Sequence, residues 1–139
     1  MCSSDLSLDL SSNMLTGPLF HTLTNLRSLV KLYLGGNFFN GTIPTEICNI
    51  KSLMTLHLGE NNLFGPLPYE LSRLTRLQYL NLSSNKLSGR ISTNLENLVH
   101  LSVLDLSWTL SRATTRSGWM NLIKRRPPSL QARDYSATR

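Results

Sequence analysis

The feature that most constrains this chain is that it repeats itself. The string LDLSSNMLTG, from Leu8 to Gly17, returns as LYLGGNFFNG from Leu32, LHLGENNLFG from Leu56 and LNLSSNKLSG from Leu80, at a fixed interval of 24 residues. A fifth copy, LDLSWTLSRA, starts at Leu104 and loses the pattern within a few positions. A fixed period of roughly 20–50 residues is the signature of a solenoid. One unit of that size cannot bury its own apolar face, so neighbours must stack and the core grows in one dimension.

Within a unit the apolar pattern switches twice. Leu8 and Leu10 alternate with polar residues, as do Leu32 and Leu34, Leu56 and Leu58, and Leu80 and Leu82; this is the pattern of a half-buried strand. The first strand is expected over 7–12. In the return segment Leu19, Leu23, Leu26 and Leu29 recur at spacings of three and four, which suits a short helix or 3₁₀ turn. Later units keep these offsets, so strands one period apart are expected to run parallel, about 4.8 Å from one another. Replacing Leu58 or Leu82 by Ala is expected to cost about 2–5 kcal/mol.

Asn13, Asn37, Asn61 and Asn85 mark the exit corner of each strand. A carboxamide offers two N–H donors and an acceptor oxygen, so these residues are expected to form a structural ladder that satisfies backbone groups of their own turn and the next. Leaving such groups buried and unpaired costs roughly 1–3 kcal/mol each. Gly17, Gly41, Gly65 and Gly89 are expected where a Cβ would be opposed or where turns approach closely.

Charge is distributed unevenly. Charged residues make up 16% of the chain, below the roughly 25% of ordinary domains. The net charge is +6, yet residues 1–108 balance Arg27, Lys31, Lys51, Arg73, Arg76, Lys86 and Arg90 against Asp5, Asp9, Glu46, Glu60, Glu70, Glu96 and Asp105. The excess lies in residues 109–139, where Asp134 faces seven cations. A neutral repeat region argues against electrostatic binding of nucleic acid or membrane. Two cysteines, Cys2 and Cys48, are too few for a disulfide framework. The opening MCSSDLSLDL has no basic or continuously apolar stretch and does not read as a signal peptide. No run of about 18 apolar residues occurs, so no direct membrane insertion by this chain is expected.

The repeats resemble the plant-type extracellular leucine-rich repeat, LxxLxLxxNxLxGxIPxxLxxL. The stretches GTIPTEICNIKSL and GPLPYELSRLTRL carry its Gly-x-Ile/Leu-Pro portion, and the likeness covers about 7–106. It implies an α/β repeat solenoid of about 4.5 repeats: a curved leucine-rich-repeat stack with a parallel concave β-sheet and convex turns of 3₁₀ or short helix. It also implies a non-catalytic module that binds a protein or peptide ligand, with a co-receptor as a further partner, on the extracellular side of a plant plasma membrane. The chain would then be a fragment of the ectodomain of a receptor-like kinase or receptor-like protein. The alternatives are a piece of a receptor serine/threonine kinase whose kinase domain is missing, or of a secreted cell-wall enzyme inhibitor. Departures from the pattern are specific. Ser92 stands where Pro is expected, and in the fifth unit Thr109, Ser111 and Ala113 replace Asn, Leu and Gly. Residues 1–108 are therefore expected to form an uncapped solenoid, and 109–139 a basic, disordered tail.

Strand alternation turns four columns of side chains outward. Their central members, Lys31, Tyr33, His57, Glu60 and Tyr79, are the candidate ligand-binding residues, since aromatics beside charge favour protein interfaces; the alternative is an ordinary solvated face. No catalytic, cofactor-binding or metal-binding constellation is expected. His21, His57 and His100 match no metal-ligand spacing, and no nucleotide-binding, kinase or hydrolase motif occurs. Two sequons, at Asn40 and Asn81, are candidate glycosylation sites if the chain is secreted. Asn40 is the better acceptor, because a glycan on Asn81 would obstruct the concave face. Cys48 is expected to be a partly buried lone thiol. The run Lys124-Arg125-Arg126-Pro127-Pro128 is read as solvated tail rather than a nuclear signal.

Overall fold

The repeat stacks as its period requires. A computed structural model describes residues 5–19, 21–109 and the backbone of 131–133. Cys2, the patch 119–123 and the basic run 124–126 lie outside the described residues.

One six-stranded parallel sheet runs along the stack, in the order β1 (Leu6–Asp9), β3 (Leu29–Tyr33), β5 (Thr55–His57), β7 (Tyr79–Asn81), β9 (Val103–Asp105) and β10 (Gln131–Arg133). The register is that of the repeat: Leu32 pairs with Leu56, Leu56 with Leu80, and Leu80 with Leu104. The sixth strand comes from the basic tail, with Gln131 opposite Val103 and Arg133 opposite Asp105. Two small parallel sheets form after the asparagine corners, β2 (Thr16–Pro18) with β4 (Phe38–Asn40), and β6 (Phe64–Pro66) with β8 (Lys86–Ser88).

Among the described residues the convex side consists of 3₁₀ turns alone: η1 (His21–Asn25), η2 (Thr45–Asn49), η3 (Tyr69–Arg73) and η4 (Thr93–Asn97). Pro44 and Pro68 precede η2 and η3 in extended conformation, at φ −69° and −63°. Ser92 takes the same place before η4 at φ −67°, and its hydroxyl accepts a hydrogen bond from the Asn94 N–H. Serine thus keeps the conformation proline enforces and caps the turn as well.

The core is the leucine column that the period predicts. Leu56, Leu58, Leu80 and Leu82 are fully buried, with Phe39, Ile50, Leu74 and Leu98 filling the space behind them. Leu8, Leu10 and Leu15 in the first turn are partly buried and pack against this core. A cleft of about 390 Å³ opens there, lined by Leu6, Leu8 and residues 25–29.

Two expectations change in the folded chain. The first strand spans Leu6–Asp9 rather than 7–12, because the chain turns at the fourth outward column. Ser12, Gly36, Glu60, Ser84 and Trp108 all have positive φ, between 52° and 67°. This left-handed conformation costs a non-glycine residue roughly 1–2 kcal/mol, and only one of the five is glycine. Cys48 is fully buried rather than partly buried. Its place in η2 turns it into the stack, and burial pushes its thiol up to about 12 from 9.0.

The asparagines secure each strained corner. Asn61 donates through Nδ2 to the carbonyls of Leu34, Leu58 and Gly59, and its Oδ1 accepts from the Phe39 N–H. Asn37 and Asn85 repeat the arrangement one turn earlier and later. Among the described residues, Asn13, in the first turn, reaches only its own turn's carbonyls, Leu10 and Ser11. At the fifth corner Thr109 is buried and its hydroxyl has no partner among the described residues.

Two predictions follow from the core and the corners. Thr109→Asn should stabilise the chain by about 1–2 kcal/mol, read as a higher urea midpoint. Cys48 contributes a second, alkaline effect. The folded thiol keeps its proton while the unfolded chain begins to lose it near 9.0. Its contribution is therefore complete below pH 9.0 and declines as pH rises toward 12. Melting temperatures of wild type and Cys48→Ala measured from pH 7 upward should diverge at neutral pH and converge above pH 9.0.

Candidate functional site

The concave sheet presents one non-leucine side chain between each leucine pair. At this position the five turns carry Asp9, Tyr33, His57, Asn81 and Asp105, aligned by the parallel register. Turns one, four and five follow it with a serine two residues on. Asp9 Oδ1 accepts from the Ser11 N–H at 2.9 Å and from its hydroxyl at 2.5 Å. Asn81 does the same with Ser83, and Asp105 with Ser107. The Ser11 hydroxyl and amide hold the Asp9 carboxyl below the usual carboxylate range.

Turns two and three break this pattern together. Tyr33 and His57 take the acidic position, and glycine takes the serine position, at Gly35 and Gly59. The glycines give room to the side chain of the next turn. A Cβ on Gly35 would lie 2.3 Å from His57 Nδ1 and Cε1, and one on Gly59 would lie 2.6 Å from Asn81 Oδ1. The imidazole therefore lies down against the Gly35 backbone.

The result is a ring cluster in the middle of the sheet. His57 stacks with Tyr79 at 6.2 Å between centroids and 22° between planes, and meets Tyr33 at 6.5 Å and 45°. All three side chains are half-buried. Asn81 organises the cluster. Since its Oδ1 accepts from Ser83, its Nδ2 faces His57 Nε2 at 3.4 Å and Tyr79 Oη at 3.3 Å. Nε2 is the imidazole atom that meets the amide. The other ring nitrogen, Nδ1, is buried without a hydrogen-bond partner among the described residues.

Of the five residues singled out from the sequence, the structure brings Tyr33, His57 and Tyr79 together. Lys31 stands apart and pairs with Asp5 at 3.6 Å on the surface. Glu60 is exposed at the left-handed corner, on the far edge of the sheet. Sequence reasoning passed over Gly35, Gly59 and the organising role of Asn81. The signal was present as the exchange of Asp/Asn-Leu-Ser for aromatic-Leu-Gly in adjacent turns. Of the two sequons, Asn40 is exposed on β4, whereas Asn81 is 8% exposed and engaged on both ends of its amide. Among the described residues no cluster of His, Cys, Asp and Glu could hold a metal, and no helix is long and apolar enough to cross a membrane.

Parallel strands in a 24-residue register, an asparagine at each corner and a leucine core define a leucine-rich-repeat solenoid. The sequence profile described as Leucine Rich Repeat matches residues 6–26, 28–50, 52–74 and 76–98. The chain belongs to the leucine-rich repeat family.

The solved structures it is similar to are plant receptor ectodomains. The ectodomain of the plant membrane receptor kinase GASSHO1/SCHENGEN3 from Arabidopsis thaliana, in complex with CASPARIAN STRIP INTEGRITY FACTOR 2, superposes with a TM-score of 0.81 at 34% identity, over 91% of this chain and 15% of that one. A chain of the BIR3–SERK2 complex from the same plant gives 0.78 at 36%, over 93% and 67%. The Arabidopsis receptor kinase HAESA, with the peptide hormone IDA and the co-receptor SERK1, gives 0.72 at 34%, over 77% and 18%. The chain thus spans 15% to 18% of the length of the first four receptors it matches. A search of the curated proteins finds no significant match.

The seat of His57 can be tested directly. Gly35→Ala should drive the imidazole off the Gly35 backbone and break its contact with Asn81. A shift of the His57 ring resonances in NMR, with a loss of about 1 kcal/mol in stability, is the expected result.

Proposed function

We propose that this chain is a peptide-binding segment of a plant cell-surface receptor ectodomain, with Tyr33, His57 and Tyr79 as the centre of its binding face and no catalysis of its own. The observation that carries the reading is the ring cluster. Three half-buried aromatic side chains, set on a rigid parallel sheet over two glycines, offer apolar area that loses little side-chain entropy on binding. The tyrosine hydroxyls also keep a donor for hydrogen bonding to a ligand backbone.

Lys31 and Glu60 lie at opposite edges of the same sheet and would set the polarity of a bound extended chain. Residues 1–108 are the binding unit in this reading, and 109–139 a basic appendage to it. The similarity to receptor ectodomains supports placement on the extracellular side of the plasma membrane. The HAESA complex with the co-receptor SERK1 supports a co-receptor as a further partner. Any kinase activity would belong to another part of a longer receptor.

A displayed library of random linear peptides, selected on the full chain, tests the proposal. Enriched peptides should bind the Tyr33→Ala, Tyr79→Ala double variant at least about tenfold more weakly, equivalent to about 1.4 kcal/mol. Equal affinity for wild type and variant would place recognition away from the ring cluster.

A further inference from the structure

The flank of the solenoid carries aromatic side chains that the core does not use. Phe38 is 53% exposed and Phe64 is 51% exposed, although both belong to strands. On β4, Phe39 points inward and is fully buried, while Phe38 and Asn40 share the outer side, two residues apart. Asn40 begins the sequon Asn40-Gly41-Thr42. The Asn62 N–H donates to the Phe39 carbonyl at 2.8 Å, and the Phe64 N–H to the Gly41 carbonyl at 2.9 Å. These bonds set Asn62 beside Asn40 and Phe64 beside Thr42 on the next turn. Asn40 therefore stands between two exposed phenylalanines, one behind it on its own strand and one diagonal to it on the adjacent strand.

The acceptor geometry is open. Strand β4 ends at Asn40, Gly41 turns the chain at φ 77°, and Thr42 is exposed. The other sequon is closed, because Asn81 is buried in the ring cluster with Ser83 bonded to its Oδ1.

We propose that Asn40 is N-glycosylated and that the first N-acetylglucosamine packs on Phe38, with Phe64 as the second wall. The apolar C–H face of a pyranose ring is complementary to the negative face of an aromatic ring. Phe38 lies about 7 Å behind Asn40 at strand spacing, within the reach of a sugar attached to the amide. The attachment is a group transfer from a lipid-diphosphate-linked oligosaccharide. The C1–O bond to the diphosphate breaks, and the lipid diphosphate leaves with the bonding pair. C1 bonds to Asn40 Nδ2, which gives up one proton. The inference rests on the extracellular placement proposed above, since such donors act in the secretory lumen. It does not depend on the concave face binding anything.

The test uses the full chain with an added secretion signal, produced in a eukaryotic secretory host. Intact mass and peptide mapping should show one glycan, at Asn40, which Thr42→Ala abolishes. Enzymatic removal of the glycan should lower the melting temperature of wild type by on the order of 4 °C. The same treatment should have little effect on Phe38→Ala and an intermediate effect on Phe64→Ala. A secreted chain with bare Asn40 would overturn the site. Equal losses in wild type and Phe38→Ala would overturn the sugar–aromatic contact. A bare Asn40, with the selected peptides bound less tightly by Phe38→Ala, would make this flank a protein-docking surface instead. Because the primary readouts are mass and melting temperature, failure here leaves the binding role of the concave face untouched.

Discussion

The carboxamides of Asn37, Asn61 and Asn85 each bond to two turns at once, and the rest of the structure depends on that. Asn61 takes carbonyls from its own turn, Leu58 and Gly59, and one from the turn before, Leu34, while receiving the Phe39 N–H. The corner it occupies is buried and sharply bent. Without these bonds the backbone groups there would face apolar side chains with no water to replace the lost partners. With them, the strand can stop after three to five residues and the leucines of successive turns can meet in register.

This arrangement separates stability from recognition. On the concave sheet the inward residues of the first five strands are leucine, and the first four corners are asparagine, so neither is free to vary with a ligand. The outward positions carry no such duty. Turns one, four and five use the outward site for an Asp/Asn–Ser hydrogen bond, which closes it off as a small polar cap. Turns two and three replace that pair with an aromatic residue and a glycine, and the space released is filled by rings that stack across turns. The candidate site is thus a local substitution within the repeat and needs no insertion or loop.

Most of the architecture was legible in the sequence because the repeat reports it four times. Parallel register, the leucine core and the asparagine corners follow from one period. What was not legible is what depends on neighbours in space. Glu60 and Lys31 share a face with the tyrosines on paper, but the left-handed turn at Glu60 and the Asp5 partner of Lys31 draw them away from the rings. Asn81 reads as a sequon, yet its amide is occupied by Ser83, His57 and Tyr79. The burial of Cys48 depends on how η2 rotates against its neighbours, a quantity that no spacing within one turn encodes.

The run of positive φ values along the outer edge of the concave sheet has a consequence for how such a surface diversifies. Ser12, Gly36, Glu60, Ser84 and Trp108 differ in size, charge and polarity, so the edge accepts chemically unlike residues. The left-handed backbone bars proline, whose ring fixes φ near −65°, and disfavours the β-branched side chains, whose second γ-substituent crowds the preceding carbonyl. This edge therefore draws on a restricted alphabet that lacks valine, isoleucine and threonine, whereas the column at the opposite side of the sheet, where Thr55 and Val103 already sit, is open to all three. Two columns of one sheet face would then evolve under different steric grammars, set by a single backbone angle repeated five times.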